Sequence, residues 1–334
     1  MNHRAIDMHA HALITSAEEI ARAQEGWRRE ASEAARLGGK QSSEHNQRLM
    51  QTVYLAGLTR VEARIAAMDQ MRLDVQAVSP VPTQYYYWAE RDAAEKIVVA
   101  ANEGIATLSA SRPERLVGLG TVALQFPELA AEQLTHAMRD LHLKGVIVST
   151  AINGVELADP RLEVFWTTAE QLSAVVFIHP MGCSLGARLT PYYLSNVIGN
   201  PAETMVALAH LIFSGVFDRH PKLKVVAAHG GGYFPFYTAR FDHGWRVRPE
   251  AHTCANPPSS YLKKIWFDSL VYEPEQFKYL IGRAGAANVV LGTDFPFDMG
   301  MDDPLGLLDA VAGLPDEARA QIRGLNASSL LGLS

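Results

Sequence analysis

The chain has 334 residues, 48% of them hydrophobic, with a formal net charge of −6 and a pI near 6.1. That is apolar material enough for a large core, in one barrel or two domains, while the acidic balance and the lack of any block of consecutive Lys or Arg argue against nucleic acid or an anionic membrane as partner and leave a small metabolite. Cys183 and Cys254 are the only cysteines, no apolar run reaches the ~18 residues of a bilayer span and no export signal opens the chain, so a soluble, cytoplasmic protein without a disulfide framework is expected.

In chain order, Ile6 to His11 reads as the first strand. Side chains two apart on a strand share a face, so His9 and His11 present both imidazoles to one point. The polar segment 12–51 is too long for an ordinary βα connection and reads as a small helical cap inserted above that strand, helix-compatible over Ala17 to Arg36. From Leu58 the pattern is regular: a helix to about Met71, then strand two over Leu73 to Ser79, followed by the aromatic run Tyr85 to Trp88, which suits packing and a substrate wall equally. Strands three to eight are expected at Leu116 to Val122, Gly145 to Thr150, Ala174 to Ile178, Lys224 to Ala228, Lys264 to Leu270 and Asn288 to Thr293. Helical segments separate them, and closing helices fill Asp303 to Leu333. Eight short buried-type strands alternating with helices are the signature of an α/β fold of the (β/α)8 barrel (TIM barrel) type, here a single unit over 1–334.

In such a barrel the chemistry sits at strand C-termini. His179 follows strand five, His229 follows strand six and Asp294 follows strand eight, joining His9 and His11 on strand one. His9, His11, His179 and Asp294 form an N3O set that suits one Zn²⁺ per chain with room for a water or substrate atom, Mn or Fe remaining open. A second metal would need a bridging group, and strand four ends in Ser149-Thr150-Ala151, with Lys144 at its start. Zinc held there brings the pKa of a coordinated water toward neutrality. His229 then suits a proton-handling acid/base rather than a fifth ligand, and catalytic duty falls to His229 and Asp294. Asp7 either orients the strand-one ligands or caps backbone groups. Arg240 and Arg248 either clamp a substrate carboxylate or make surface ion pairs. Of the other histidines, His210 reads as a helix-packing residue and His220 as solvated.

Gly182-Cys183-Ser184-Leu185-Gly186 matches the G-x-S-x-G of serine hydrolases, and His229-Gly230-Gly231-Gly232 resembles an oxyanion loop. That fold orders its triad Ser, Asp/Glu, His, with the oxyanion loop before the serine. Here the glycine loop comes after Ser184 and no histidine follows His252, so the triad is set aside.

Asp7-Met8-His9-Ala10-His11, Asn200-Pro201-Ala202-Glu203-Thr204, Ala228-His229-Gly230-Gly231-Gly232 and Leu291-Gly292-Thr293-Asp294-Phe295-Pro296-Phe297, in that order, resemble the amidohydrolase superfamily and, within it, the aminocarboxymuconate-semialdehyde decarboxylase group. The resemblance implies zinc on His9, His11, His179 and Asp294, an acid/base His229, and a homodimer in which Arg240 meets a substrate carboxylate from the neighbouring subunit. The chain departs from that group where Gln51-Thr52 precedes Val53-Tyr54, with Arg48 the nearest cation, and near Asn196, where a tryptophan is replaced and Tyr192 and Tyr193 lie close by. Tyr193 and Trp88 are the aromatic candidates for the substrate side. The reaction expected is a zinc-dependent, non-oxidative decarboxylation of an unsaturated or aromatic carboxylate. The alternative is hydrolysis in the same barrel, cleaving a lactone or a C–C bond of a ring-cleavage product.

Overall fold

The computed structural model describes residues 3–333. Eight parallel strands form its centre: β1 (Ile6–Ala12), β2 (Val75–Pro80), β3 (Leu116–Gly118), β4 (Gly145–Val148), β5 (Val175–Ile178), β6 (Lys224–Ala227), β7 (Ile265–Asp268) and β8 (Val289–Val290). They pair in sequence order as two sheets, β1-β2-β3 and β4 to β8. Two seams join the sheets. Gly120 bridges to Val146, and Asp7 and Ala10 bridge to Leu291 and Phe295, with Met8 N–H donating to Leu291 O at 2.9 Å and His11 N–H to Phe295 O at 2.9 Å. The ring is therefore a closed (β/α)8 barrel, and Val146, Ile147, Val148, Val175 to Ile178 and Val225 to Ala227 are buried because helices cover the outside while side chains fill the lumen.

β8 is shorter than the expected Asn288 to Thr293. Asp294 takes a left-handed φ of +57°, and Thr293 N–H and Asp294 N–H both turn onto His9 O at 3.3 and 2.8 Å. The ladder stops because the backbone swings to aim the carboxylate at β1. An antiparallel hairpin unforeseen in the sequence pairs Ala151–Ile152 with Val155–Glu156 around Asn153-Gly154, both at positive φ, as an Asn-Gly hairpin turn demands.

The expected cap over 12–51 needs correction, although its helix-compatible stretch over Ala17 to Arg36 is helical for most of its length. The segment breaks into α1 (Thr15–Arg22), α2 (Glu25–Gly38) and α3 (Lys40–Leu49). α1 belongs to the barrel wall: Ala17 and Ala21 are buried, and Gly104 of the helix Arg91–Ala110 leaves room for Ile14. Only α2 and α3, which bury no residue, stand out from the body. Trp88 anchors them, its indole N–H donating to Glu30 Oε2 at 2.6 Å while Gly26 lies flat against its ring. Two histidines also change place. His220 is buried with Nε2 2.7 Å from Glu163 Oε1, and His210 is exposed rather than packed.

Candidate metal and active site

His9, His11, His179, His229 and Asp294 meet at the C-terminal mouth of the barrel. The donor atoms of His9, His179, His229 and Asp294 lie within 4.8 Å of one another. His11 Nε2 is 3.1 Å from both His9 Nε2 and Asp294 Oδ1, and His9 Nε2 is 3.2 Å from Asp294 Oδ1. Phe177 of β5 packs edge-on to His9 with ring centroids 4.9 Å apart, giving the cluster an apolar floor.

The outer nitrogens fix the tautomers. His9 Nδ1 donates to Asp268 Oδ2 at 2.7 Å, and His179 Nδ1 donates to Pro180 O at 2.9 Å. Ser79 Oγ spends its own hydrogen on Ala10 O at 3.3 Å, so it accepts from His11 Nδ1, also at 3.3 Å. With Nδ1 protonated in each ring, all three Nε2 lone pairs face inward beside the Asp294 carboxylate. Acceptors 3.1–3.2 Å apart repel unless a cation sits among them. Ligand atoms about 2.0–2.1 Å from zinc in a tetrahedron would stand roughly 3.3 Å from each other, a spacing the cluster nearly has. Three buried atoms of the cluster, His179 Nε2, His229 Nδ1 and Asp294 Oδ1, have no hydrogen-bond partner. The residues fit a resident metal ion.

The protonation equilibria carry the same message. Burial lowers His11, and it lowers His179 well below the ordinary imidazole range, with His229 and His9 adding to the effect. Burial would also lower His9, but the Asp294 and Asp268 carboxylates outweigh it and raise it to about 10. Asp294, which burial alone would raise, is held well below the carboxylate range, chiefly by His9. Without a metal ion the cluster recruits a proton on His9 to neutralise its carboxylates.

A cavity of about 570 Å³ opens on this cluster, reaching His229 and Asp294 and lined further out by Asn196, Tyr233, Tyr272 and Gln276. A second, of about 740 Å³, lies under the elbow of α2 and α3, lined by Lys40, His45, Arg48, Tyr193 and Asp298, and shares Met299 with the first. Tyr193 thus stands beside the entrance, its hydroxyl pushed up to about 12 by burial and by Asp298 and Asp294. The remaining substrate-side candidates lie elsewhere. Trp88 lines neither cavity, because its indole is spent on holding α2. Tyr85 and Tyr87 are buried scaffold, donating to His179 O at 3.1 Å and accepting from Ser149 N–H at 3.2 Å. Arg248 pairs with Glu250, and Arg240 is exposed on the helix Phe234–Val247; neither lines either of these two cavities. Ser184 donates to Glu203 Oε1 at 2.6 Å, so the G-x-S-x-G serine is engaged by a carboxylate and not by an imidazole base.

One feature lay outside the sequence reading, and one alternative it left open resolves. Asp268, at the end of β7, is wholly buried against His9. Asp7 does both things considered for it: it accepts from His9 N–H at 2.9 Å, Thr293 Oγ1 at 2.6 Å and Gln76 Nε2 at 2.8 Å, tying β1 to β2 and β8 below the ligands. The signal that would have found Asp268 is the rule that found the others, an ionisable residue at the C-terminal end of a barrel strand.

The Amidohydrolase family profile matches residues 6–333. Over 274 residues the chain is 37% identical to 2-amino-3-carboxymuconate-6-semialdehyde decarboxylase of Dictyostelium discoideum, covering 81% of this chain and 76% of that one. Among solved structures it superposes on 5-carboxyvanillate decarboxylase from Sphingomonas paucimobilis with a TM-score of 0.86 at 22% identity over the whole of both chains. The enzyme of the same name from Novosphingobium aromaticivorans, complexed with manganese and 4-hydroxy-3-methoxy-5-nitrobenzoic acid, gives 0.84 at 21% identity, with 99% of this chain and 97% of that one covered. The chain belongs to the amidohydrolase family.

Proposed function

We propose that this chain is a metal-dependent, non-oxidative decarboxylase of an unsaturated or aromatic carboxylic acid. The observation that carries the reading is the meeting of His9, His11, His179, His229 and Asp294 beside a cavity of about 570 Å³, a size suited to a small ring or a muconate chain. We assign His9, His11, His179 and Asp294 to one ion per chain. Zn²⁺ is the first choice for three imidazoles and a carboxylate, and Mn²⁺ the competitor, since a structural neighbour with carboxylate chemistry holds it. When bound, the metal supplies Lewis-acid polarisation of a substrate oxygen.

The chain's own part is orientation and proton delivery. His229 Nε2 stands 3.8 Å from Asp294 Oδ2, and its Nδ1 is free. In the step proposed, the bond between the ring or chain carbon and the carboxylate breaks, its electron pair stays on carbon, CO₂ leaves, and the proton held on His229 goes to that carbon. No lysine or arginine lines the inner cavity among the described residues. A second substrate carboxylate would therefore meet Arg48 or Lys40 under α2 and α3, or Arg240 of a second copy in a homodimer, which we take to be the working form in the cytoplasm.

A panel of muconate-type and hydroxybenzoate acids, assayed for CO₂ in ¹⁸O-labelled water, tests the assignment. Stoichiometric CO₂ with no label in the organic product is the expected result. Cleavage into two fragments with label in the acid fragment, or label in an opened lactone, would make the chain a hydrolase instead.

A further inference from the structure

Asp268 is fully buried, and both of its oxygens are occupied by donors from two other strands and its own loop. Oδ2 accepts from His9 Nδ1 at 2.7 Å and from His229 N–H at 2.9 Å, while Oδ1 accepts from Gly230 N–H at 2.7 Å and Leu270 N–H at 3.2 Å. The two amides after β6 converge on the carboxylate because His229 and Gly230 both take left-handed backbone, φ +55° and +61°. Successive N–H groups in such a conformation form an anion-binding nest, and here the anion is a side chain. For His229 this conformation is strained, so it persists only where the surroundings over-determine it. Gly292 completes the arrangement: a Cβ there would lie 2.7 Å from Asp268 Cβ and 3.0 Å from His9 Cβ, so only glycine lets β8 pass behind the pair.

We infer that Asp268 is a positioning residue shared by two functional groups, holding His9 in the tautomer that faces the metal and His229 in the backbone turn that aims its imidazole. The inference rests on the metal and acid/base roles proposed above. It goes beyond them in making the two roles depend on one carboxylate: metal affinity and proton transfer fall together when it is altered, although neither a metal nor a substrate touches it.

Asp268→Asn keeps the shape but replaces one acceptor oxygen by a donor. If the amide nitrogen faces His9, it forces Nδ1 to accept and drives the proton onto Nε2, the atom aimed at the ion. Competition between the protein and a chromophoric chelator for Zn²⁺ alone, needing no substrate, is expected to show affinity about 10- to 100-fold weaker. At saturating metal, kcat is expected to remain at least about tenfold down with a smaller change in KM, and that deficit is expected to vanish when the same substitution is made in His229→Ala. Wild-type zinc affinity, or an equal fold-loss of kcat in both backgrounds, overturns the inference. Should Asp268→Asn fail to fold, Gly292→Ala crowds the same contact without touching the charge. It is expected to lower zinc affinity and kcat together, and unchanged values there overturn the inference as well. A wild-type chain that binds no metal, or a fully active His229→Ala, points instead at the underlying reading of the site.

Discussion

Replacing Arg64 with methionine asks whether the wall behind the site is held by one buried guanidinium. Arg64 is 1% exposed and donates to Gln76 Oε1 at 2.6 Å, to Gly57 O at 2.9 Å and to His11 O. Burial lowers its pKa to about 10, with Asp7 opposing, so it is charged at neutral pH. Gln76 hands the connection on to Asp7, and Asp7 to Thr293, so one chain of bonds runs across β2, β1 and the end of β8. Methionine fills the stem but leaves three buried acceptors without a donor, at ~1–3 kcal/mol each, against which the relief of burying no guanidinium must be set. Three such losses, less that relief, leave a net destabilisation of about 3–5 kcal/mol. For a chain of this length that corresponds to roughly 4–7 °C in Tm. Urea unfolding of metal-free protein measures it directly, and His11, losing its carbonyl anchor, is expected to bind metal several-fold more weakly. Arg64→Lys, one ammonium for three acceptors, should fall between. A loss under ~1 kcal/mol, or a gain, would refute the reasoning.

His179→Ala is expected to abolish metal binding, read as metal per chain after desalting, whereas His229→Ala keeps the metal and loses most turnover. Stripping the metal from the wild type is expected to lower stability by about 2.7 kcal/mol relative to protein in metal at 100 times Kd, read as a fall in Tm. Ser184→Ala removes one hydrogen bond to Glu203 and is expected to leave kcat unchanged; a loss of several orders of magnitude would revive the serine-hydrolase reading. Gly26→Ala would place a methyl 2.1 Å from the Trp88 ring, so α2 must lift and trypsin should cut faster at Arg28, Arg29, Arg36 or Lys40, with the barrel itself intact.

The metal cluster was legible because two simple periodicities sufficed. A repeat of two put His9 and His11 on one face, and the strand-end rule of parallel barrels collected His179, His229 and Asp294. Neither rule states which outer nitrogen meets what, and that is where the site is decided. The Ser79, Pro180 and Asp268 partners come from three strands or their loops, and their pairing depends on the curvature of a closed ring. The role of Trp88 was hidden for a similar reason: an aromatic after a strand reads the same whether it faces substrate or a helix 58 residues earlier. α1 was misassigned to the cap because its polar face dominates the composition, while Ala17 and Ala21, four apart and small, are the faint mark of close packing on Arg91–Ala110.

Backbone strain gives the site its rigidity. His229 and Asp294, the two residues cast as catalytic, both sit at positive φ, and each is held by a bond from its own amide: His229 N–H to Asp268, Asp294 N–H to His9 O. His9 connects to both tethers, donating from Nδ1 to the same Asp268 carboxylate in one case and accepting at its carbonyl in the other. The residue proposed to bind the ion therefore also fixes the two side chains proposed to work around it, and distortion at any one of the three is expected to reach the others. The rim is built differently. Asn196, Tyr193, Arg48 and Gln276 line the two cavities from loops and helices outside this triangle. Substitutions there are expected to change which carboxylate enters while the metal geometry stays as it is; Asn196, one of the departures from the muconate group, lies on this rim, whereas Gln51 lines neither cavity.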